Sequence, residues 1–447
     1  MTLDRRDVLG AMAAAGAAVA FGQVADASPA KPYRVGVIGS GWFGQLNLFT
    51  LMQVAPVEVV ALCDIDPAML KDAAKNTMAR PDSVVKPTKE PALYDDYGKM
   101  LAAHTFDIVI VGTPDHWHTL PALAALKAGA NVYLEKPVSV DVLEGRALLN
   151  TARAARRTVQ VGTQRRATRF LREARERVVQ AGLLGKVAQV DIYGFFHQRP
   201  PGFPPPSPAP SFWNTYCGPA PVVPFNTAIH PRTWRAFMAF GNGYMGDIGV
   251  HMIDSVRFLL DLRWPKTINS WGGIYVDKQS ASDVVDTQIA QFHYDDLLMT
   301  WTNRQWGTGT DPATPWGARL YGNKGTLRIT AEGYDFTPYG ANAPAFGTAL
   351  GPELTEFPAD QQLNNVDKPL FAITRDNMRD FDHALKTGTR PAADIEEGYI
   401  STSICILANM SLKLGRPVHW DGENVVGDDD AQKLLARPYR APWVHPV

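Results

Sequence analysis

Tyr33-Arg34-Val35-Gly36-Val37-Ile38-Gly39-Ser40-Gly41-Trp42-Phe43-Gly44 decides the fold of this chain. Arg34 to Ile38 reads as a short buried strand, and the glycine turn after it opens a segment with helical spacing at Leu46, Leu48, Leu51 and Met52. In a G-x-G-x-x-G turn each glycine has its own task. Gly39 allows the tight turn, Gly41 lets the backbone approach a pyrophosphate, and Gly44 permits close packing of helix on strand. The helix N-terminus then offers unbonded N–H groups and the positive end of its dipole to phosphate. Glu58 to Cys63 makes a second strand, and Asp64 follows it, about 20 residues past the last glycine, where the ribose hydroxyls of a dinucleotide are read. A carboxylate there repels a 2′-phosphate and no arginine follows it, so the stretch favours NAD over NADP.

The pattern continues outward as a doubly wound α/β sheet. Asp66-Pro67 opens a helix that runs to about Met78, Arg80 to Pro91 is a loop, and Asp95-Asp96-Tyr97 caps a short helix. Asp107 to Val111 is a continuous apolar strand of the kind buried on both faces. Gly112-Thr113-Pro114-Asp115-His116-Trp117-His118 ends it at the carboxyl edge, where open α/β sheets bind ligands. Leu120 to Ala128 is the crossover helix, Asn131 to Leu134 the next strand, and Glu135-Lys136-Pro137 stops that strand abruptly. A lysine held there, beside a cationic nicotinamide ring, can move protons; a lysine at a strand end is otherwise simply solvated. Asp141 to Ala155 is an amphipathic helix, and Thr158 to Gly162 a further strand leading into Thr163-Gln164-Arg165-Arg166.

A chain of 447 residues with a formal charge of −1 is long enough for two globular domains and has no electrostatic bias toward nucleic acid or an anionic membrane. Cys63, Cys217 and Cys405 are widely separated and show no metal-ligand spacing, although one pair could still form. Asp4-Arg5-Arg6-Asp7 precedes a weakly apolar Gly10 to Phe21 run and the small-x-small pattern Ala25-Asp26-Ala27. Residues 1–27 thus resemble a twin-arginine (Tat) export signal, with the Tat machinery as partner and a periplasmic or otherwise exported location. A folded protein exported with its dinucleotide would have to retain it and regenerate it in place.

Gly246-Asp247-Ile248-Gly249-Val250-His251-Met252-Ile253-Asp254 starts a helix in the second half. Its spacing puts Asp247, His251 and Asp254 on one face while Ile248, Met252, Val256 and Leu259 turn toward the core. Three ionisable groups on one stripe are costly to bury unless paired. Asp247 as a helix cap beside a core histidine is one reading, an Asp/His/Asp metal site a second, and a catalytic pair a third. Alternation at Val187 to Tyr193, Val284 to Tyr294 and Leu297 to Arg304, and a hairpin at Ala318 to Tyr321 and Thr326 to Ile329, add strands. The proline-dense tract from Arg199 to Ser211 is either a rigid loop across the cleft mouth or a surface insertion.

The glycine turn, Asp64, Thr113-Pro114-Asp115-His116-Trp117-His118 and Glu135-Lys136-Pro137, in this order and spacing, resemble the glucose-fructose oxidoreductase/inositol dehydrogenase (Gfo/Idh/MocA) family. The resemblance implies an N-terminal Rossmann domain (32–160) and an α/β domain (161–420) with an open, mainly antiparallel sheet, followed by a closing tail (421–447). One face of that sheet would carry the substrate, and the other a homo-oligomer contact. Lys136, Asp247 and His251 match the family's catalytic set: His251 as acid/base with a pKa near neutrality, Asp247 orienting it or the sugar, Lys136 polarising the oxygen. Cofactor contacts would come from Gly39, Gly41, Trp42, Phe43, Gly44, Asp64, Thr113, Pro114, His116, His118, Glu135, Lys136 and Gln164. Gln164 and Arg165 fit a Gly-x-Gln-Arg-Arg pattern of one branch, whose late helix and tail also resemble Glu397 to Pro417 and Asp421 to Trp443. Arg165, His230, Trp234 and Arg235 are the candidate substrate contacts. The expectation is an oxidoreductase with tightly bound NAD and no required metal, acting on a carbohydrate or cyclitol hydroxyl. A glycosidase working through transient sugar oxidation and a non-catalytic sugar-binding relative are its rivals.

Overall fold

The computed structural model describes residues 31–195, 202–205, 207–307, 309, 314–340, 344–362 and 367–446. Residues 1–27, read above as an export signal, and part of the proline-dense tract lie outside the described residues.

Six parallel strands form the first sheet in the order β3-β2-β1-β4-β5-β6. They are β1 (Tyr33–Ile38), β2 (Val57–Cys63), β3 (Ala92–Tyr94), β4 (Ile108–Val111), β5 (Asn131–Leu134) and β6 (Val159–Val161). Ile108 to Val111 and Val132 to Leu134 have no exposed surface, which is why they read as unbroken apolar runs rather than alternating ones. The sequence places no strand between Arg80 and Asp95; β3 is a three-residue edge strand, too short for a period of two to show.

Among the described residues the second sheet has nine strands, in the order β14-β13-β12-β11-β7-β10-β9-β8-β15. In chain order these are β7 (Val187–Gly194), β8 (Thr267–Gly273), β9 (Thr287–His293), β10 (Leu298–Arg304), β11 (Trp316–Gly322), β12 (Gly325–Thr330), β13 (Gly333–Pro338), β14 (Phe346–Ala349) and β15 (Val418–His419). All its pairings are antiparallel except β7 with β10. Alternation along β9 and β10 buries Ala290, Phe292, Met299 and Trp301 on one face, which packs into the core with helix Val250–Leu260. The opposite face is open, and Trp271 of β8 stands there, more than half exposed, opposite the half-exposed Ile289 of β9.

Two long helices tie the halves together. Helix Lys368–Thr387 returns to helix Trp42–Val54, where Phe371 packs on Leu46, and Met378 and Phe381 enter the cluster of Val35, Leu51 and Ile110. Helix Ile395–Leu414 is buried along most of its length between helix Val142–Ala155 and the second sheet. The tail is tied back onto the helix that follows β5: Asp141 accepts from the Arg437 backbone N–H and pairs with His445 at 3.0 Å, and Tyr439 donates to Glu144. The three cysteines are buried and free.

Candidate active site

A groove of about 1030 Å³ runs along the carboxyl edge of the parallel sheet, at the upper end of the usual ~300–1,000 Å³ for ligand sites. One end is the glycine turn. Gly39 has φ +85°, and a Cβ on it would meet the Thr113 N at 2.6 Å. A Cβ on Gly44 would lie 2.0 Å from the Gly39 carbonyl oxygen, so only glycine lets the helix sit this close to the strand. At Gly41, by contrast, the nearest atom to a Cβ is Met69 Sδ at 3.9 Å; the missing side chain leaves open room on the groove wall. Helix Trp42–Val54 starts there with no side-chain cap and no acidic residue in its first turn, which leaves its N-terminal donors to a ligand.

Asp64 follows the end of β2 and accepts from the backbone N–H groups of Ser40 (2.8 Å) and Asp66 (3.0 Å). Burial pushes its carboxyl up to about 6 against these two hydrogen bonds. Beside Gly39, Thr113 keeps a buried hydroxyl with no hydrogen-bond partner among the described residues. A phosphate-sized cradle, an exposed helix start, a carboxylate at the ribose position and an orphaned hydroxyl together fit a dinucleotide lying along this wall.

Of the expected cofactor contacts, Gly39, Gly41, Trp42, Phe43, Asp64, Thr113, Pro114, His118, Glu135 and Lys136 line the groove; Gly44, His116 and Gln164 do not. His116 is the plainest departure. Asp115–Trp117 is a 3₁₀ turn with three residues per turn, so Asp115 and His118 share its groove side and His116 points away. Its Nε2 faces the Tyr216 carbonyl at 2.7 Å, its ring packs on Phe240, and burial pushes its pKa down to about 4. Gln164 has no exposed surface at the start of the short helical turn after β6.

The other end of the groove is ionic. Lys136 Nζ donates to Asp247 Oδ1 at 2.7 Å and to the Asp247 carbonyl at 3.0 Å, and Arg235 Nε donates to the same Oδ1 at 3.1 Å. Lys136 and Arg235 form the wall, with Asp247 bonded behind both. Burial pushes the Asp247 carboxyl up, but Lys136 and Arg235 outweigh it and hold it below its ordinary value. Asp247 sits in a π-helical turn, Met245–Gly249, rather than the α-helix that the spacing predicts; the α-helix begins at Val250.

His251 is buried in the first turn of that helix, and its Nδ1 has no hydrogen-bond partner among the described residues. Its pKa is not near neutrality: burial, then the charges of Arg165, Lys136 and Arg235, push it well below 6.5. Its ring meets Trp316 edge-on with centroids 5.7 Å apart, and Arg165 stacks on the same indole at 4.4 Å. Arg165 is itself buried, which lowers its pKa to about 10, and its Nε donates to the Ala331 carbonyl at 3.1 Å. Asp254 leaves the expected stripe altogether, bonding Arg166 Nε at 2.8 Å and Ser401 Oγ at 2.7 Å inside the core. That ion pair also removes it from an Asp/His/Asp metal set.

Of the expected substrate contacts, Trp234 and Arg235 line the groove, Arg165 stands behind it beside His251, and His230 lies at the nucleotide end. His230 Nε2 pairs with Asp66 at 3.0 Å because its segment crosses the groove, and Arg232 stacks on Trp42 at 4.7 Å two residues further on. Thr215, Tyr216 and Trp443 also line the groove.

Asp115, not among the expected site residues, also lines the groove. Burial pushes its carboxyl up to about 8, against the opposing charges of Arg235 and Lys136, which favours its protonated form. Its only signal in the sequence is its place in Thr-Pro-Asp-His-Trp-His, where it reads as an ordinary turn residue.

A glycine turn at a helix start, a carboxylate after the second strand and a lysine-carboxylate pair where two domains meet define a dinucleotide-binding oxidoreductase fold. Residues 33–163 match the oxidoreductase-family NAD-binding Rossmann fold, 171–328 the GFO/IDH/MocA C-terminal domain, and 357–445 the oxidoreductase-family C-terminal alpha/beta domain. The chain belongs to the Gfo/Idh/MocA oxidoreductase family. Among curated relatives, a glycosyl hydrolase family 109 protein of Solibacter usitatus is 34% identical over 167 residues, 34% of this chain and 37% of that protein. The D-glucoside 3-dehydrogenase of Escherichia coli is 23% identical over 55% of this chain and 58% of its own length. The chain thus aligns with little more than half of these relatives at most. An oxidoreductase of Agrobacterium radiobacter, solved with NAD+, L-tartaric acid and magnesium, superposes with a TM-score of 0.64 at 17% identity, covering 87% of this chain and 98% of that one. An inositol dehydrogenase homologue of Azotobacter vinelandii, solved with NADH and myo-inositol, gives 0.62 at 20% identity over 88% and 98%. These structures share the fold.

Proposed function

We propose that this protein moves a hydride between a carbohydrate or cyclitol hydroxyl and a tightly held NAD. The observation that carries the reading is the Lys136–Asp247 pair at the end of the dinucleotide groove, with the His251 imidazole four residues further on in the α-helix that follows. The bound nicotinamide supplies hydride transfer. Lys136 Nζ, fixed by Asp247, donates to the reacting oxygen and stabilises the charge that develops there. His251, neutral and with an unbonded Nδ1, takes the hydroxyl proton during oxidation and returns it during reduction. Arg235 holds Asp247 in place, and the protonated Asp115 carboxyl offers a hydrogen bond to a second hydroxyl.

NAD rather than NADP is favoured by Asp64, which sets a carboxylate against a 2′-phosphate. Retention is supported by the strap that pins His230 to Asp66 and Arg232 over Trp42. A retained cofactor must be re-oxidised in place by a second sugar or other acceptor. The Arg5-Arg6 pattern supports export; an Arg5→Lys, Arg6→Lys double variant that still reaches the periplasm would contradict it. The exposed Trp271 and Ile289 support assembly through the open sheet face, and a purely monomeric species by light scattering would contradict that.

A second reading, favoured by the family 109 glycosidase relatives, uses the same oxidation transiently to acidify a neighbouring C–H and expel a glycosidic leaving group. One experiment separates the two: simple sugars and aryl glycosides are offered to the purified protein while nicotinamide absorbance and phenol release are followed. Net absorbance change without phenol supports the dehydrogenase, phenol release without net change supports the glycosidase, and neither signal contradicts both.

A further inference from the structure

Among the described residues Arg165 makes no ion pair. Its Nε is engaged by the Ala331 carbonyl and its plane lies on Trp316, but its two Nη groups make no hydrogen bond or ion pair among the described residues. A nine-tenths-buried guanidinium without a carboxylate is costly unless something anionic arrives to meet it. Among the described residues Glu332 is the one carboxylate acting on it, and that side chain is exposed and makes no ion pair with it. Arg165 is moreover the largest charge acting on His251, ahead of Lys136 and Arg235.

The balance around the reacting position is therefore cationic. Lys136 and Arg235 line the groove there and Arg165 stands behind it beside His251, whereas Asp247 is shared by Lys136 and Arg235 and leaves Arg165 unpaired among the described residues. Glu135, the other carboxylate beside Lys136, already accepts from Asn47 and from the Lys136 backbone N–H. A neutral hexose would leave one buried positive charge unmatched. A guanidinium held flat against an indole presents its fork in a fixed plane, the geometry that receives a carboxylate through two parallel N–H donors.

We propose that the substrate is a sugar acid, its carboxylate received by Arg165 while the hydroxyl to be oxidised lies between His251 and Lys136. This rests on the oxidoreductase reading and narrows it from any polyol to aldonates, uronates or their glycosides. The carboxylate takes no part in bond making or breaking; it positions the neighbouring carbinol.

The test compares D-glucose and D-galactose with D-gluconate, D-glucuronate and D-galacturonate on the holoprotein, following nicotinamide absorbance in wild type, Arg165→Gln and Arg165→Lys. The expected result is a kcat/KM ratio of acid over neutral sugar of at least roughly tenfold, the equivalent of ~1.4 kcal/mol. The ratio falls to about one in Arg165→Gln, mainly through KM, and is partly kept in Arg165→Lys. Neutral sugars turned over as well as acids by wild type, or a ratio indifferent to Arg165→Gln, overturns the proposal and leaves the oxidoreductase reading standing. Turnover of neither class removes both. Should Arg165→Gln fail to fold, the wild-type ratio and its change in Arg165→Lys decide.

Discussion

Lys136 Nζ and Asp247 Oδ1 lie 2.7 Å apart across the joint between the parallel sheet and the second domain, and both side chains are nine-tenths buried. The lysine comes from the end of β5 and the carboxylate from a π-helical turn 111 residues later, so the pair forms only when the two domains are docked. Breaking a buried ion pair by removing one partner costs about 3–5 kcal/mol when the other is left alone. Here Arg235 remains on the same oxygen, so Lys136→Met should cost less than that and leave a folded protein.

The pH profile should not show an ordinary histidine. Burial and three neighbouring cations hold His251 well below 6.5, so it remains a proton acceptor through pH 6.5. The acid limb of kcat/KM for hydroxyl oxidation is expected below pH 6.5, and an alkaline change near 8, absent in Asp115→Asn, should mark ionisation of that carboxyl. Rapid-mixing measurements from pH 5 to 9 check both; an acid limb at 6.5 or above contradicts the assignment of His251. The same shift has a sign for stability. An unfolded chain protonates this histidine as pH falls through 6.5 and the folded one does not, so its contribution is full above 6.5 and is lost below it.

The glycines of the turn should separate by function. Gly44→Ala places a Cβ 2.0 Å from a backbone oxygen and should destabilise by about 1–3 kcal/mol or more. Gly41→Ala meets nothing closer than 3.9 Å and should leave stability within ~0.5 kcal/mol while lowering NAD occupancy. Thermal melts with acid-released NAD measured in parallel check the pair; equal melting losses in both variants would contradict the division of roles.

The strap is expected to govern release. Asp66→Asn retains the oxygen that accepts from the Ala68 N–H at the helix start, but loses the charge facing His230. Dissociation of NAD should accelerate by about tenfold, for a charged hydrogen bond of ~1.4 kcal/mol. Trapping released cofactor with a coupled dehydrogenase reads the rate, and an unchanged rate means that the strap does not retain the ligand.

The glycine turn, Asp64 and Lys136 were legible because each is set by local rules: a strand, a tight turn and a helix start within a few residues. What escaped is set by distant parts of the chain. The depressed pKa of His251 depends on burial and then on Arg165 from the turn after β6, and the raised pKa of Asp115 on burial beside Gly241, whose positions no pattern in Thr-Pro-Asp-His-Trp-His announces. His116 was misread because a cluster of polar residues at a strand end does not reveal that a 3₁₀ turn sends its middle side chain away from the groove. His230 read as a substrate contact for a similar reason: its segment travels to Asp66, a pairing 164 residues apart in sequence.

The central claim, a dinucleotide presented to Lys136 at the domain joint, is tested most directly by measuring NAD content and single-turnover reduction on the same samples of wild type and Lys136→Met. Both proteins should release NAD on acid denaturation, and the variant should reduce it ~10²–10⁴-fold more slowly with a reactive sugar. A protein that neither contains nor binds NAD, or a Lys136→Met variant as fast as wild type, would contradict it.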